Sequence, residues 1–135
     1  MVSFRLLRYQ TLASIWEISE QYFYEFINLE LFEINLQNKF NVLTAESGMA
    51  GLELLTENPD IKVIISDMKM PIMNGIEFLK RVRGRNPNIS CFILTGYGLT
   101  TDIEESIKDG LIIDCLRKPF EMNKIESVIN EAIEE

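Results

Sequence analysis

The chain has 135 residues, 47% hydrophobic and 25% charged, the make-up of one ordinary globular domain with little room for a second. Lys and Arg number 13 against 21 Asp and Glu, a formal net charge of -8, which argues against non-specific binding to nucleic acid or to an anionic membrane. Histidine is absent, which excludes Ser-His-Asp and Cys-His catalysis, histidine metal sites and phosphate carriage on histidine.

Residues 1–12 carry no clean apolar segment followed by a cleavage site, and are read as an N-terminal extension of unclear role. The domain is expected over 13–135. Residues 14–19 (SIWEIS) are the expected first strand, and 21–37 the first helix. That helix holds five of the thirteen aromatics, Tyr22, Phe23, Tyr24, Phe26 and Phe32, more than one helix face can bury; a bulky core and a partner surface both fit. Phe40–Thr44 reads as a strand. Ser47–Thr56 reads as a helix with Met49, Leu52 and Leu55 inward.

Ile61–Ser66 is an almost wholly apolar strand, the kind buried on both faces of a parallel sheet. Gly75–Arg83 is an amphipathic helix with Ile76, Leu79 and Val82 on one stripe, and Arg81, Arg83 and Arg85 form a solvated basic end. Ser90–Leu94 is a fourth strand, Thr101–Asp109 a short helix, and Leu111–Leu116 a fifth strand. Glu121–Ile133 closes the chain as a helix, with Met122, Ile125, Ile129 and Ala132 aligned. Cys91 and Cys115 sit in apolar company, without zinc spacing, and read as buried reduced thiols of a cytoplasmic protein. No apolar run approaches the ~20 residues of a membrane helix.

Strands alternating with helices predict an α/β fold: a doubly wound, five-stranded parallel sheet with five helices. Such sheets hold their sites beyond the carboxyl ends of the strands. Asp67 follows the third strand, Thr95 the fourth, and Lys118 the fifth. A carboxylate, a hydroxyl and an ammonium at one edge suit acceptance of a phosphoryl group by the carboxylate, with the other two binding the anion's oxygens.

Asp67 with the following Met-Lys-Met-Pro-Ile-Met-Asn-Gly, then Ile93-Leu94-Thr95-Gly96, then Arg117-Lys118-Pro119-Phe120, resembles the receiver domain of bacterial two-component response regulators. The resemblance implies a flavodoxin-like sheet of order 2-1-3-4-5. It implies Asp67 as phosphoacceptor, Thr95 and Lys118 as phosphoryl-binding switch residues, and Lys69 and Tyr97 as modulators of hydrolysis. It implies Mg²⁺ held by Asp67, by an acid after the first strand and by the backbone carbonyl of Lys69. The implied partner is a histidine kinase or phosphotransfer protein, with a homodimer also compatible and with no direct nucleic-acid or membrane contact.

Two positions depart from the family pattern. Where receivers place two adjacent acids after the first strand, the alignment puts Ser19 and Glu20, so Glu20 is the remaining candidate ligand and weakened Mg²⁺ binding is expected. Three residues before Lys118, where receivers carry Tyr or Phe, stands Cys115. The alternative is a degenerate receiver acting as a phosphorylation-independent interaction module. A flavodoxin-like cofactor protein fits less well, because the segment Ser19–Tyr24 lacks a Ser/Thr-rich loop.

Overall fold

The computed structural model describes residues 3–7, 34, 36, 38–45, 47–68, 72–96, 99–117 and 122–134. Five strands form one sheet: β1 (Ser3–Leu7), β2 (Asn41–Ala45), β3 (Ile61–Asp67), β4 (Ser90–Thr95) and β5 (Asp114–Arg117). Their spatial order is β2-β1-β3-β4-β5, and every neighbouring pair is parallel. Four helices are described: α1 (Gly48–Glu57), α2 (Gly75–Arg85), α3 (Thr101–Lys108) and α4 (Met122–Glu134).

Side chains of a strand alternate between faces, and here both faces are apolar. Ile64, Cys91, Ile93 and Cys115 join one buried cluster with Leu52 and Leu55 of α1, Phe78, Leu79 and Val82 of α2 and Ile103 of α3. Val63, Ile65, Phe92, Leu94 and Leu116 join the other with Ile125 and Ile129 of α4 and with Leu36. Helices on both faces are what oblige the near-continuous apolar run Val63–Ile65 to be buried throughout.

Each helix on the first face starts at a polar cap that accepts a backbone N–H otherwise lacking a partner. Ser47 Oγ accepts from Ala50 at 3.1 Å, and Asn74 Oδ1 accepts from Glu77 at 2.9 Å. Thr100 Oγ1 accepts from Ile103 at 3.4 Å. Among the described residues, no helix is long and apolar enough to cross a membrane.

Several expectations change. The strand beside both β2 and β3 is Ser3–Leu7, not 14–19, so the sheet draws a strand from the segment read as an extension. Pairing on two edges, rather than local propensity, selects such a strand. Residues 14–19 and nearly all of the expected first helix lie outside the described residues. Met49 is 55% exposed rather than inward.

β5 starts at Asp114, not Leu111. Gly110 takes φ 78° after α3, and the amides of Leu111 and Ile112 turn back onto the Ser106 carbonyl. They are thereby withdrawn from the ladder. The basic end of α2 is also more than solvated charge. Arg83 Nε donates to the Leu111 carbonyl at 3.2 Å. Arg85 Nη1 donates to the Leu52 carbonyl at 3.2 Å and to Thr56 Oγ1 at 3.0 Å, tying α2 to α1.

Candidate functional site

Asp67 is the last residue of β3 and Thr95 the last of β4. The parallel register sets Asp67 opposite Leu94 and Thr95 opposite Arg117, so both expected residues stand at the carboxyl edge of adjacent strands. Both are buried, at 5% and 4% exposure, among the few buried polar side chains of the described residues. Lys118 directly follows Arg117, the strand residue paired with Thr95, and itself lies outside the described residues. So do Lys69, Tyr97, Ser19 and Glu20.

The structure removes the reasoning that set Glu20 beside Asp67. β1 ends at Leu7, and the residues that follow it in the chain are Arg8 and Tyr9. An octahedral Mg²⁺ wants several hard oxygens. Among the described residues no three acidic or thiol side chains converge on a common point, which leaves Asp67 as the one described candidate.

The backbone around Asp67 is tightly held. Met68 N donates to the Leu94 carbonyl at 3.0 Å, and Gly75 N donates to the Met68 carbonyl at 2.9 Å. The first residue of α2 is pressed against the end of β3. A Cβ at Gly75 would stand 2.4 Å from the Asp67 carbonyl oxygen and 2.8 Å from Ile93 Cδ1. Only glycine tolerates this approach. On the neighbouring connection, a Cβ at Gly48 would meet Met73 Sδ at 3.0 Å, so α1 and the β3–α2 connection are also in contact.

Within that connection Ile72 has φ 70° and is fully exposed. The left-handed conformation costs an L-residue about 1–2 kcal/mol, and a β-branched side chain is among the least suited to it. Gly75 and Ile72 stand in the segment that follows Asp67, but neither is among the expected site residues. The Asn-Gly pair was a signal for the first, since it marks a cap followed by a close approach. Nothing in the residue type signalled the second.

Cys115 stands 8% exposed in the apolar cluster. Its thiol is pushed up by burial and by the nearby Asp114, against the opposing pull of Arg117 and Lys124. A cavity of about 620 Å³ between α2 and α3 is lined by Glu77, Lys80, Asp102 and Glu105 among others, and includes neither Asp67 nor Thr95. Its mixed charges and its place outside the Asp67 edge separate it from the site.

Residues 25–130 match the family described as the response regulator receiver domain. Sporulation initiation phosphotransferase F of Bacillus subtilis is 33% identical over 106 residues, covering 78% of this chain and 83% of the relative. The hydrogenase transcriptional regulatory protein HoxA of Cupriavidus necator is 33% identical over 99 residues, and there the match covers 73% of this chain but 20% of the relative. The crystal structure of a response regulator receiver domain protein from Clostridium thermocellum superposes with a TM-score of 0.78 at 27% identity, covering 99% of this chain and 95% of that one.

Proposed function

We propose that this chain, which belongs to the response regulator receiver domain family, accepts a phosphoryl group on Asp67 from a partner's phosphohistidine and thereby switches a partner-binding surface. Receiver domains are signalling modules of two-component systems that work with histidine kinases or phosphotransfer proteins. One observation carries the assignment: Asp67 and Thr95, 28 positions apart, end adjacent strands as buried polar groups at one edge of the sheet.

In the proposed step an Asp67 carboxylate oxygen attacks phosphorus in line. The new P–O bond forms as the P–N bond breaks, and the imidazole leaves with the electron pair and is protonated. Thr95 Oγ donates a hydrogen bond to one phosphoryl oxygen, and the Lys118 ammonium pairs with another. By the same family resemblance, Lys69 and Tyr97 are the residues that would tune hydrolysis. Receiver domains in general bind Mg²⁺ at this site, where the ion neutralises charge between oxygens. In this chain the groups that would hold the ion are the Asp67 carboxylate and the backbone carbonyl of Lys69, a small donor set for which we expect weak binding. The same reading implies a cytoplasmic domain, with homodimerisation compatible and no direct contact with nucleic acid.

Intact-protein mass spectrometry after incubation with acetyl phosphate and Mg²⁺ tests the assignment. The expected result is one added phosphoryl group in the native chain and none in Asp67→Asn. No adduct in either protein, or an adduct that survives Asp67→Asn, overturns it and favours the phosphorylation-independent module.

A further inference from the structure

We infer that Ile72 is a specificity-determining residue for the protein phosphodonor, an apolar anchor held exposed beside the phosphoacceptor by a strained backbone. The inference rests on Asp67 being the acceptor. Ile72 is fully exposed, so its side chain adds nothing to the core, and its φ of 70° opposes folding. For folding alone it is unfavourable twice over, and asparagine or glycine would suit the position better. A residue held against local preference at the edge of a site is a candidate for a binding role.

The surroundings point to the occupant. The described residues include five exposed large hydrophobics, Ile34, Met49, Ile72, Leu99 and Ile113. Three of them lie just past the carboxyl ends of successive strands: Met49 in the first turn of α1 after β2, Ile72 after β3, and Leu99 after β4. They therefore share the sheet edge with Asp67. Asp67 is 5% exposed, so a histidine-borne phosphoryl group reaches it only if the donor's own surface closes over this edge. A donor seated there covers the β3–α2 connection that carries Ile72. A donor with an apolar patch around its phosphohistidine would bury Ile72, Met49 and Leu99 together, whereas a small phosphodonor would touch none of them. Burying exposed apolar side chains against a partner favours association.

Two phosphodonors separate this inference from the acceptor reading. One is phosphoramidate. The other is the autophosphorylated catalytic core of whichever histidine kinase from the same genome labels the native chain fastest. In Ile72→Asn the ratio of the kinase rate to the phosphoramidate rate should fall about tenfold or more, with the loss appearing as a raised half-saturating receiver concentration. The same substitution should raise Tm by about 3 °C through relief of the strain. Ile113→Asn, exposed but preceding β5, should leave the ratio within a factor of about two. An unchanged ratio in Ile72→Asn, with phosphoramidate labelling intact, overturns this inference alone. So does phosphoramidate labelling of a native chain that no kinase labels. Failure of both donors on the native chain removes the acceptor reading and this inference with it.

Discussion

Replacing Gly75 by alanine asks the start of α2 to hold one carbon atom for which there is no space. The new Cβ would lie 2.4 Å from the Asp67 carbonyl oxygen, 3.2 Å from the Asp67 carbonyl carbon and 2.8 Å from Ile93 Cδ1. Ile93 can rotate, but the carbonyl belongs to β3, which is paired on both sides by β1 and β4. The helix end must move instead, by about 1 Å to reach van der Waals distance. That motion strains the Gly75 N–H bond to the Met68 carbonyl and the Asn74 cap. Overpacking costs about 1–3 kcal/mol, the hydrogen bond about 1 and the cap about 1, against about 0.5–1 recovered from the smaller backbone entropy of alanine. The net loss is about 3 kcal/mol.

Gly84 lies in the same helix with nothing within 4 Å of its Cβ position. There alanine should instead gain about 0.5–1 kcal/mol. Urea denaturation reads both. With a slope of about 2 kcal/mol per molar urea, the midpoint should fall by about 1.5 M in Gly75→Ala and rise by about 0.3 M in Gly84→Ala. A Gly75→Ala midpoint within about 0.3 M of the native chain would refute a steric role for this contact between α2 and the end of β3.

Burial pushes the Cys91 thiol from 9.0 up to about 11, with Arg83 pulling weakly the other way. The folded state keeps its proton where the unfolded chain has lost it, so this contribution is whole below pH 9 and fades as pH rises to about 11. Native stability should drop by about 2–3 kcal/mol across that window, and Cys91→Ala should flatten the slope in urea titrations run at stepped pH; parallel slopes would contradict it. Ser47→Ala and Asn74→Ala each remove the acceptor for one helix-start amide and should each lower stability by about 1 kcal/mol, while Ser47→Gly should cost a few tenths. Calorimetry would check this, and an unshifted Ser47→Ala transition would show that water serves the Ala50 amide equally well.

Much of this protein is legible without coordinates, because the relevant forces are local. The run Ile61–Ser66 is apolar at nearly every position, which only a strand covered on both faces requires. The helix starts expected at Ser47, Gly75 and Thr101 fall within a residue of the observed ones, which Ser47, Asn74 and Thr100 cap. Once strands and helices alternate, Asp67 and Thr95 fall at strand ends on one edge as a matter of chain order, and the structure sets both there, buried.

Other features belong to the tertiary structure, because they depend on atoms far away in the chain. Two short mixed runs, SFRLL and SIWEIS, compete for the first strand on equal local terms. Pairing with β2 and β3 together selects Ser3–Leu7, and with it goes the argument for Glu20. The apolar residues Leu111 to Ile113 look like strand until the Ser106 carbonyl takes two of their amides. Met49 looks inward by helical spacing, yet the buried face of α1 runs through Gly48, Gly51, Leu52 and Leu55 and leaves Met49 in solvent. The conformation of Ile72 and the contact at Gly75 come from fitting α2 against the end of β3, a distance in space that no spacing along the chain encodes.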